Sequence, residues 1–288
     1  KPVYERKTYS TSQSDTLFQP QSTSELNGGA AEVQSSAAFT FTNCKFLRCS
    51  SSKYGGAVYA AFPSGSYSLT FRSCIFEFCS ALSGGAIYTY GLNQRFQCIL
   101  QNCNFESNTA TSNAKLTFSL SGSSASIKEE HGGGGALFLG MKSGNMKECI
   151  FQNNQCSNGY GSNILHAGYS TGAGNGYSYS TCTFYYSDST SSSSFFYVDS
   201  KSTSFAITFS NCHFYNLFEL DSNTQHHFST DQTGTDAITL NFNQNCFYSK
   251  YCTDSNALKN EFSSLETHYE PNSANCPEPE YPPNGDTE

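Results

Sequence analysis

Cysteine is the residue type best suited to covalent chemistry in this sequence, and its spacing is regular. Among 13 cysteines, seven recur at intervals of 30, 29, 46, 33, 30 and 34 residues: Cys44, Cys74, Cys103, Cys149, Cys182, Cys212 and Cys246. Thiols repeated in this way can be oxidised to disulfides or can lie buried as small apolar side chains. No Cys-x-x-Cys pair occurs, and no His lies at ligand spacing from Cys, so we predict neither a metal site nor a cofactor.

The oxidation state of these cysteines is open at this point. For the regularly spaced set we favour a column of buried, reduced thiols. Disulfides are better candidates at pairs that lie close together in sequence, namely Cys44–Cys49, Cys74–Cys79 and Cys246–Cys252. Export would favour oxidation, whereas a cytosolic location would keep the thiols reduced.

A second group of reactive side chains lies beside four glycines. Glu129, Glu130 and His131 precede Gly132–Gly135, and carboxylates beside an imidazole can perform acid–base chemistry or bind a metal. No Lys-Ser or Lys-Thr follows the glycines, so they are not a phosphate loop. We interpret the segment as a solvated loop tip. The three side chains are kept as candidate binding residues, and no catalytic residue is assigned.

The elements that position these residues repeat. A Cys-x-Phe motif followed by Gly-Gly-Ala occurs three times: Cys44–Phe46 with Gly55–Ala57, Cys74–Phe76 with Gly84–Ala86, and Cys103–Phe105 with Gly134–Ala136. A period near 30 residues without room for a long helix is typical of a stacked solenoid. We therefore predict an all-β fold: a right-handed parallel β-helix of about seven coils of roughly 30 residues.

Each predicted coil adds one Cys and one Phe to ladders along the core. We expect the structural ladder to contain Cys103, Cys149, Cys182, Cys212, Phe46, Phe76, Phe105, Phe151, Phe184 and Phe214. The residue before each Cys is mostly Asn, Ser or Thr, so a bend is predicted there. The Gly-Gly pairs predict a second corner, where a side chain would collide with the neighbouring coil.

Composition divides the chain into three parts. Residues 1–36 are polar and predict a cap over the open end of the core. Residues 37–262 form the predicted β-helix domain, with insertions near 109–133 and 157–179, the latter as a loop or an irregular coil. Residues 263–288 are rich in proline and acidic residues and predict a tail or linker.

Two short motifs carry a family resemblance. Gly-Gly-Ala alternates with Phe-x-x-Asn, which is intact at Phe105–Asn108 and Phe151–Asn154, whereas Cys replaces the Asn at Phe46–Cys49 and Phe76–Cys79. This phased pair resembles the repeats of chlamydial polymorphic outer-membrane proteins and related surface proteins of parasitic protists. The resemblance covers residues 28–165 and fades towards residue 250. It implies a surface-exposed protein involved in adhesion.

Charge limits the classes of partner and activity. The net charge is −8 and the cationic residues are scattered, so nucleic acid is not an expected partner. No apolar segment approaches the roughly 18 residues of a membrane-spanning helix, so none is predicted.

The predicted ladder never places two carboxylates at one level, since Glu77 and Glu148 fall on different coils. We therefore predict that the protein is not an enzyme.

Tyrosines surrounded by Ser, Gly and Asn provide the candidate binding surface, with Tyr59, Tyr88 and Tyr90 as its members. This mixture suits adaptable polar recognition, and aligned rings could also stack on sugars. We predict a non-catalytic protein at the cell surface or outside the cell that binds other proteins or surface glycans, or that self-associates. The alternatives are an intracellular structural module of a filament or large complex, and a carbohydrate-active lyase or hydrolase.

Overall fold

The chain is an all-β parallel solenoid with repeats of roughly 30 residues. The computed structural model describes residues 2–3, 5, 7–20, 26–33, 38–62, 68–91, 97–111, 118–121, 124–127, 133–140, 142–157, 160–168, 175–185, 196–200, 205–215, 228–232, 238–248 and 267–271. The fold class and repeat length predicted from the spacing are confirmed, and the right-handed sense stays a prediction.

Three parallel sheets form the sides of each coil. Sheet I holds the strands Lys7–Tyr9, Ala31–Val33, Val58–Phe62, Ile87–Gly91, Leu137–Gly140, Ile164–Gly168, Phe196–Ser200 and Phe228–Gln232. Its five strands from Ala31–Val33 to Ile164–Gly168 follow a glycine corner. Sheet II holds the strands Gln13–Ser14, Phe39–Thr42, Ser68–Arg72, Gln97–Gln101, Ser143–Lys147, Asn175–Ser180, Phe205–Ser210, Ile238–Tyr248 and Thr267–Pro271. Its six strands from Phe39–Thr42 to Phe205–Ser210 lead to a ladder cysteine.

Sheet III holds Pro2–Val3 and Leu17–Phe18, followed by the strands of the Cys-x-Phe motif: Lys45–Leu47, Ile75–Glu77, Asn104–Glu106, Ile150–Gln152, Thr183–Tyr185 and His213–Tyr215. The last strand of the motif is the end of Ile238–Tyr248, which runs through sheets II and III. A short fourth sheet contains Ser80–Ala81, Thr109–Ala110 and Gln155–Cys156. An antiparallel pair, Phe118–Ser121 with Ser124–Ile127, lies within the predicted insertion at 109–133.

The register between coils follows the phenylalanine ladder. Phe46 pairs with Phe76 and Phe76 with Phe105, and the centroids of both pairs of stacked rings are 4.7 Å apart. The stack continues through Phe151 and Phe184, with spacings of 4.9 and 5.1 Å. Burial of each ring stabilises the fold by roughly 1.5–3 kcal/mol. Because a one-residue slip would turn the rings towards solvent, the ladder determines the alignment.

Left-handed backbone marks the corners of each coil. Six residues immediately before ladder cysteines have φ between 51° and 56°: Asn43, Ser73, Asn102, Glu148, Thr181 and Asn211. This confirms the predicted bend. A further corner, not predicted, has φ between 52° and 55° at Arg48, Phe78, Ser107 and Asn153. Together with the glycine corner, where Gly84 has a φ of 62°, these bends give the coil its three sides.

A second inward column explains how Cys can replace the Asn of Phe-x-x-Asn. Cys49, Cys79, Asn108 and Asn154 occupy equivalent buried positions in successive coils. Asn108 Oδ1 accepts a hydrogen bond from Cys79 N at 3.0 Å, and Asn154 Oδ1 accepts one from Asn108 N at 3.0 Å. Both side-chain types also donate to a carbonyl of the preceding coil, at 3.6 Å from Cys79 and 3.0 Å from Asn108.

The cysteine column ends earlier than predicted. Cys246 pairs with His213, so Asn245 occupies the next column position after Cys212. Asn245 Oδ1 accepts a hydrogen bond from Cys212 N at 2.8 Å, and its Nδ2 donates to the carbonyl of Phe209 at 2.9 Å. The assignment of Cys246 to the column is therefore wrong by one residue, and Asn245 takes the position that follows Cys212.

Strands from both terminal segments belong to the solenoid. Leu17–Phe18, within the predicted cap, pairs with Lys45–Leu47, and the ring of Phe18 stacks on Phe46 at 4.5 Å. Thr267–Pro271, within the predicted tail, pairs with Ile238–Tyr248. The sheets thus extend beyond residues 37–262. Residues 272–288 lie outside the described residues, and their role as a linker stays a prediction.

The described parts of residues 157–179 are regular coil, which corrects the predicted loop or irregular coil. Ile164–Gly168 pairs with Leu137–Gly140, and Asn175–Ser180 pairs with Ser143–Lys147. The sequence motif did not reveal this coil because Gly161-Ser162-Asn163 takes the place of Gly-Gly-Ala, with a φ of 71° at the glycine.

Candidate functional site

The outer face of sheet I carries aromatic side chains from several coils, which we call the outer tyrosine face. Glu32 pairs with Tyr59, Tyr59 with Tyr88, and Tyr88 with Phe138 in successive strands. A buried apolar cluster lies at its centre: Tyr88, Phe138, Leu165 and Ala167. Four half-buried rings pack against this cluster: Tyr54, Tyr59, Tyr90 and Tyr160. The fold therefore brings Tyr59, Tyr88 and Tyr90 together, as candidate binding residues require.

The central ring of this face is enclosed by other rings. The Tyr88 centroid lies 4.2 Å from that of Phe138 in one neighbouring coil and 5.6 Å from that of Tyr59 in the other. Tyr54 stacks on Tyr88 as well, at 4.8 Å. Tyr88 is only 3% exposed, so a sugar cannot stack on it. The accessible parts of the face belong to the half-buried tyrosines around it.

The hydroxyls of Tyr59 and Tyr90 remain protonated near neutral pH. Burial, with a smaller contribution from Tyr59, raises the pKa of Tyr90 to about 12. Burial also raises the pKa of Tyr59, and the nearby Glu32 carboxylate raises it further. The face therefore presents uncharged hydroxyls beside a carboxylate, a combination that can donate and accept hydrogen bonds.

The loop cluster predicted from sequence cannot be assigned to this face. Glu129, Glu130 and His131 lie outside the described residues, and their role in binding stays a prediction.

Sheet III brings together two carboxylates that the sequence analysis missed. Glu77 and Glu106 are register partners in adjacent coils. Lys45 Nζ lies 2.8 Å from a carboxylate oxygen of Glu77 and forms an ion pair with it. Both glutamates follow a ladder cysteine by three residues, and this shared repeat position was the available signal. The two carboxylates lie on different coils, so this pair does not contradict the expectation that no two carboxylates share one level.

Six ladder cysteines form a continuous column of free thiols inside the solenoid, the thiol column: Cys44, Cys74, Cys103, Cys149, Cys182 and Cys212. Each thiol lies close enough to the thiol of the adjacent coil to shift its pKa. Each also lies near a backbone carbonyl, as in the 3.3 Å contact from Cys74 Sγ to the oxygen of Arg72. The buried column expected from the spacing is present.

Two of the three disulfides expected within single coils, Cys44–Cys49 and Cys74–Cys79, are not formed. Their four cysteines are free thiols. The geometric reason is that Cys44 and Cys49 lie at different corners of the coil, where each contacts the equivalent thiol of the next coil. Cys246 is disulfide-bonded, and its predicted partner Cys252 lies outside the described residues.

Neighbouring thiols and burial shift the pKa values of the column cysteines in opposite directions. Thiol donors from Cys149 and Cys74 lower the pKa of Cys103, whereas burial and the Cys103 thiol raise the pKa of Cys149. Burial raises the pKa of Cys98, beside the column, to about 12. Thiol donors from Cys149 and Cys212 likewise lower the pKa of Cys182 to about 4, so Cys103 and Cys182 are the column members that ionise most readily.

A buried histidine lies on the inner face of sheet I. His166 is fully buried, and its Nε2 is 2.9 Å from the hydroxyl of Tyr179. The rings of Tyr177, Phe196 and Phe205 surround it, and its Nδ1 has no hydrogen-bond partner among the described residues. Burial lowers its pKa from 6.5 to about 3.

We expect acid to destabilise the solenoid through His166. Its pKa is lower in the folded than in the unfolded state, so its contribution to stability is complete above pH 6.5 and is lost as the pH falls towards 3. The shift corresponds to about 3–5 kcal/mol. Urea unfolding across this range measures the loss. The double variant His166→Leu with Tyr179→Phe should lose this component of the pH dependence, and an unchanged pH profile would contradict the assignment.

The comparisons with known proteins leave the chain without an assigned family, since no family model, curated protein or solved structure matches it. In the described part of the chain, no helix has the length and apolar character needed to cross a membrane. Within the same ranges, no group of three or more His, Cys, Asp or Glu side chains is arranged to hold a metal ion.

Proposed function

We propose that this protein is a non-catalytic β-solenoid that binds a surface glycan through the outer tyrosine face. The observation that supports the proposal is the half-exposed pair Tyr59 and Tyr90, held against an apolar cluster of rings. Rings already restrained by packing lose little conformational entropy when a partner binds. Such a surface is suited to binding a partner without catalysing a reaction.

The polarity of the face favours a partner rich in hydroxyl groups. Glu32 lies beside Tyr59, and a carboxylate accepts hydrogen bonds from sugar hydroxyls while tyrosine hydroxyls donate to sugar oxygens. Because Tyr88 is enclosed, the glycan would contact the edges of Tyr59 and Tyr90 rather than stack on the central ring.

Display at the cell surface or secretion is part of the proposal. The resemblance of the Gly-Gly-Ala and Phe-x-x-Asn repeats to polymorphic outer-membrane proteins supports an adhesive role. Labelling of intact source cells with a membrane-impermeant amine reagent tests this location. Modified lysines in this chain would support it, whereas an unlabelled chain beside labelled surface proteins would favour an intracellular assembly module.

Removing the half-buried rings of Tyr59 and Tyr90 is expected to weaken glycan binding. The variant Tyr59→Ser with Tyr90→Ser should reduce affinity roughly tenfold or more, because tyrosine anchors at binding surfaces are often worth more than about 1 kcal/mol. A glycan array identifies the ligand, and calorimetric titration measures the loss. Tyr185→Ser on sheet III is the matched control, since Tyr185 is half-buried and stacks on Tyr215 at 5.1 Å away from this face.

Two results would contradict the proposal. Equal affinity of the double variant and the Tyr185→Ser control would exclude the outer tyrosine face. Binding to cells that persists after enzymatic removal of their glycans would indicate a protein partner instead.

A carbohydrate-active enzyme is the second candidate, and the adjacent Glu77 and Glu106 are the observation in its favour. Glycoside hydrolases use two carboxylates, but the ion pair between Lys45 and Glu77 favours a structural role here. Incubation with a polysaccharide panel should yield no shortened product. Cleavage that disappears in Glu106→Gln would replace the binding proposal with the enzymatic one.

A further inference from the structure

We propose that the thiol column is a site of oxidative modification, at which a small-molecule disulfide cross-links adjacent coils in one defined set of pairs. The column is free in the structure, and its members are between 0 and 2% exposed. Its thiols face one another across coils, and none is bonded within its own coil.

The stacking brings each pair of neighbours within disulfide range. Strands adjacent to the column are in register, as Lys45 with Ile75 and Ile75 with Asn104 show. Neighbouring parallel strands lie about 4.8 Å apart, and disulfides join Cα atoms about 4.4–6.8 Å apart. Equivalent positions also point their Cβ atoms in the same inward direction, so closing a bond requires only a small approach of the two coils.

The number of thiols determines the pairing. A linear column of six members can be fully paired between neighbours in only one way: Cys44–Cys74, Cys103–Cys149 and Cys182–Cys212. The second inward column adds one pair, Cys49–Cys79. Cys98 is buried next to the column but outside its register, because it pairs with Leu69 and Gly144 in sheet II. It should stay reduced.

The reaction is thiol–disulfide exchange. One column thiolate attacks the small-molecule disulfide, which forms a mixed disulfide and releases one small thiol. The neighbouring thiolate then attacks the protein sulfur of the mixed disulfide and releases the second small thiol. Two protein thiols are oxidised, one disulfide is reduced, and the two protein protons end on the released thiols. Because the column is buried, exchange requires folding in the presence of the oxidant or transient opening of a coil.

Cross-linking would change the kinetics of unfolding. Each bond closes a chain segment of 30 to 46 residues and ties two successive coils together. The chain-entropy model predicts greater stabilisation for loops of this size than for short ones. The oxidised solenoid should therefore unfold roughly tenfold more slowly than the reduced form in the same urea concentration, and reductant should reverse the difference.

The experiment is refolding of the full chain from urea with oxidised glutathione, followed by alkylation of remaining thiols and peptide mapping without reductant. The expected result is the four named links with Cys98 alkylated. If all column thiols are alkylated after refolding, or if the links join residues that are not column neighbours, the proposal is overturned.

A variant within the column tests whether the stacking order directs the pairing. In Cys149→Ser, Cys103 keeps only Cys74 as a neighbour, so a Cys74–Cys103 link should arise at the expense of Cys44–Cys74. The Cys182–Cys212 link should persist. Cys98→Ser is the matched control and should leave all four links in place. If Cys149→Ser loses only the Cys103–Cys149 link and gains no Cys74–Cys103 link, exchange between neighbouring thiols is contradicted.

Discussion

Replacement of Gly85 by Ala is expected to destabilise the solenoid by about 4 kcal/mol or more, enough to prevent stable folding of the surrounding coils. A Cβ atom at this position would overlap the carbonyl oxygen of Gly135 and would lie 2.7 Å from backbone atoms of Thr109. Both neighbours are backbone of the next coil. They cannot move away while Gly85 N donates to the oxygen of Gly134 at 3.0 Å.

At Gly85, the steric cost of an added Cβ atom can be measured without the cost of a positive φ. Gly85 does not have the positive φ that Gly84 has, so the cost arises from close approach of coils alone. Circular dichroism and urea unfolding of Gly85→Ala measure the loss. Thr181→Ala, at an exposed corner, is the control and should change stability by less than about 1 kcal/mol. Native-like stability of Gly85→Ala would show that the coils can separate at this corner.

Replacement of Asn154 by Leu is expected to destabilise the protein by about 3–6 kcal/mol. The Asn154 side chain is buried and makes four hydrogen bonds. Its Oδ1 accepts from Asn108 N at 3.0 Å and from Asn108 Nδ2 at 2.9 Å. Its Nδ2 donates to the oxygen of Phe105 at 3.0 Å and to Asn163 Oδ1 at 2.9 Å. Leucine would remove all four hydrogen bonds, although Asn108 Nδ2 would keep its bond to the carbonyl of Phe76.

The same column supplies the matched control for this prediction. Cys79 occupies the equivalent position and donates from Sγ to a carbonyl of the preceding coil, so Asn154→Cys should retain one of the four interactions. We expect its cost to be about half that of Asn154→Leu. Chemical unfolding of both variants under reducing conditions measures the difference. If Leu is tolerated as well as Cys, packing rather than hydrogen bonding maintains this column.

Inward-facing repeats were predictable because each coil needs the same residue type at the same place. Phe46, Phe76 and Phe105 stack ring on ring, and the second glycine of each Gly-Gly-Ala motif faces backbone of the next coil. The same residue types are required at the same position of every coil, so they recur in the sequence at a regular interval. The corner before each ladder cysteine was predictable for the same reason.

Local exceptions to the repeat were not predictable, because a different side chain can satisfy the same position. Asn245 takes a cysteine position by accepting a hydrogen bond from the backbone of Cys212. Gly161-Ser162-Asn163 replaces Gly-Gly-Ala while keeping the positive φ at its first residue. In both cases backbone register, which the residue types do not reveal, decides the alignment.

The candidate sites depended even more on register. The sequence contained Tyr59, Tyr88 and Tyr90, but their order across coils is what enclosed Tyr88 and left the other two half-exposed. Likewise, Glu77 and Glu106 are 29 residues apart in sequence, and they are adjacent only because consecutive coils stack in register.

The sequence by itself determined the solenoid, its repeat length and the identity of its core ladders, because these follow from residue types that must recur at every turn. Only the tertiary structure decided which side chains of different coils become neighbours: thiol beside thiol rather than disulfide within a coil, and carboxylate beside carboxylate on sheet III. The physical reason is that hydrogen-bonded register between stacked strands sets those contacts, and a single coil carries no information about its neighbour's alignment.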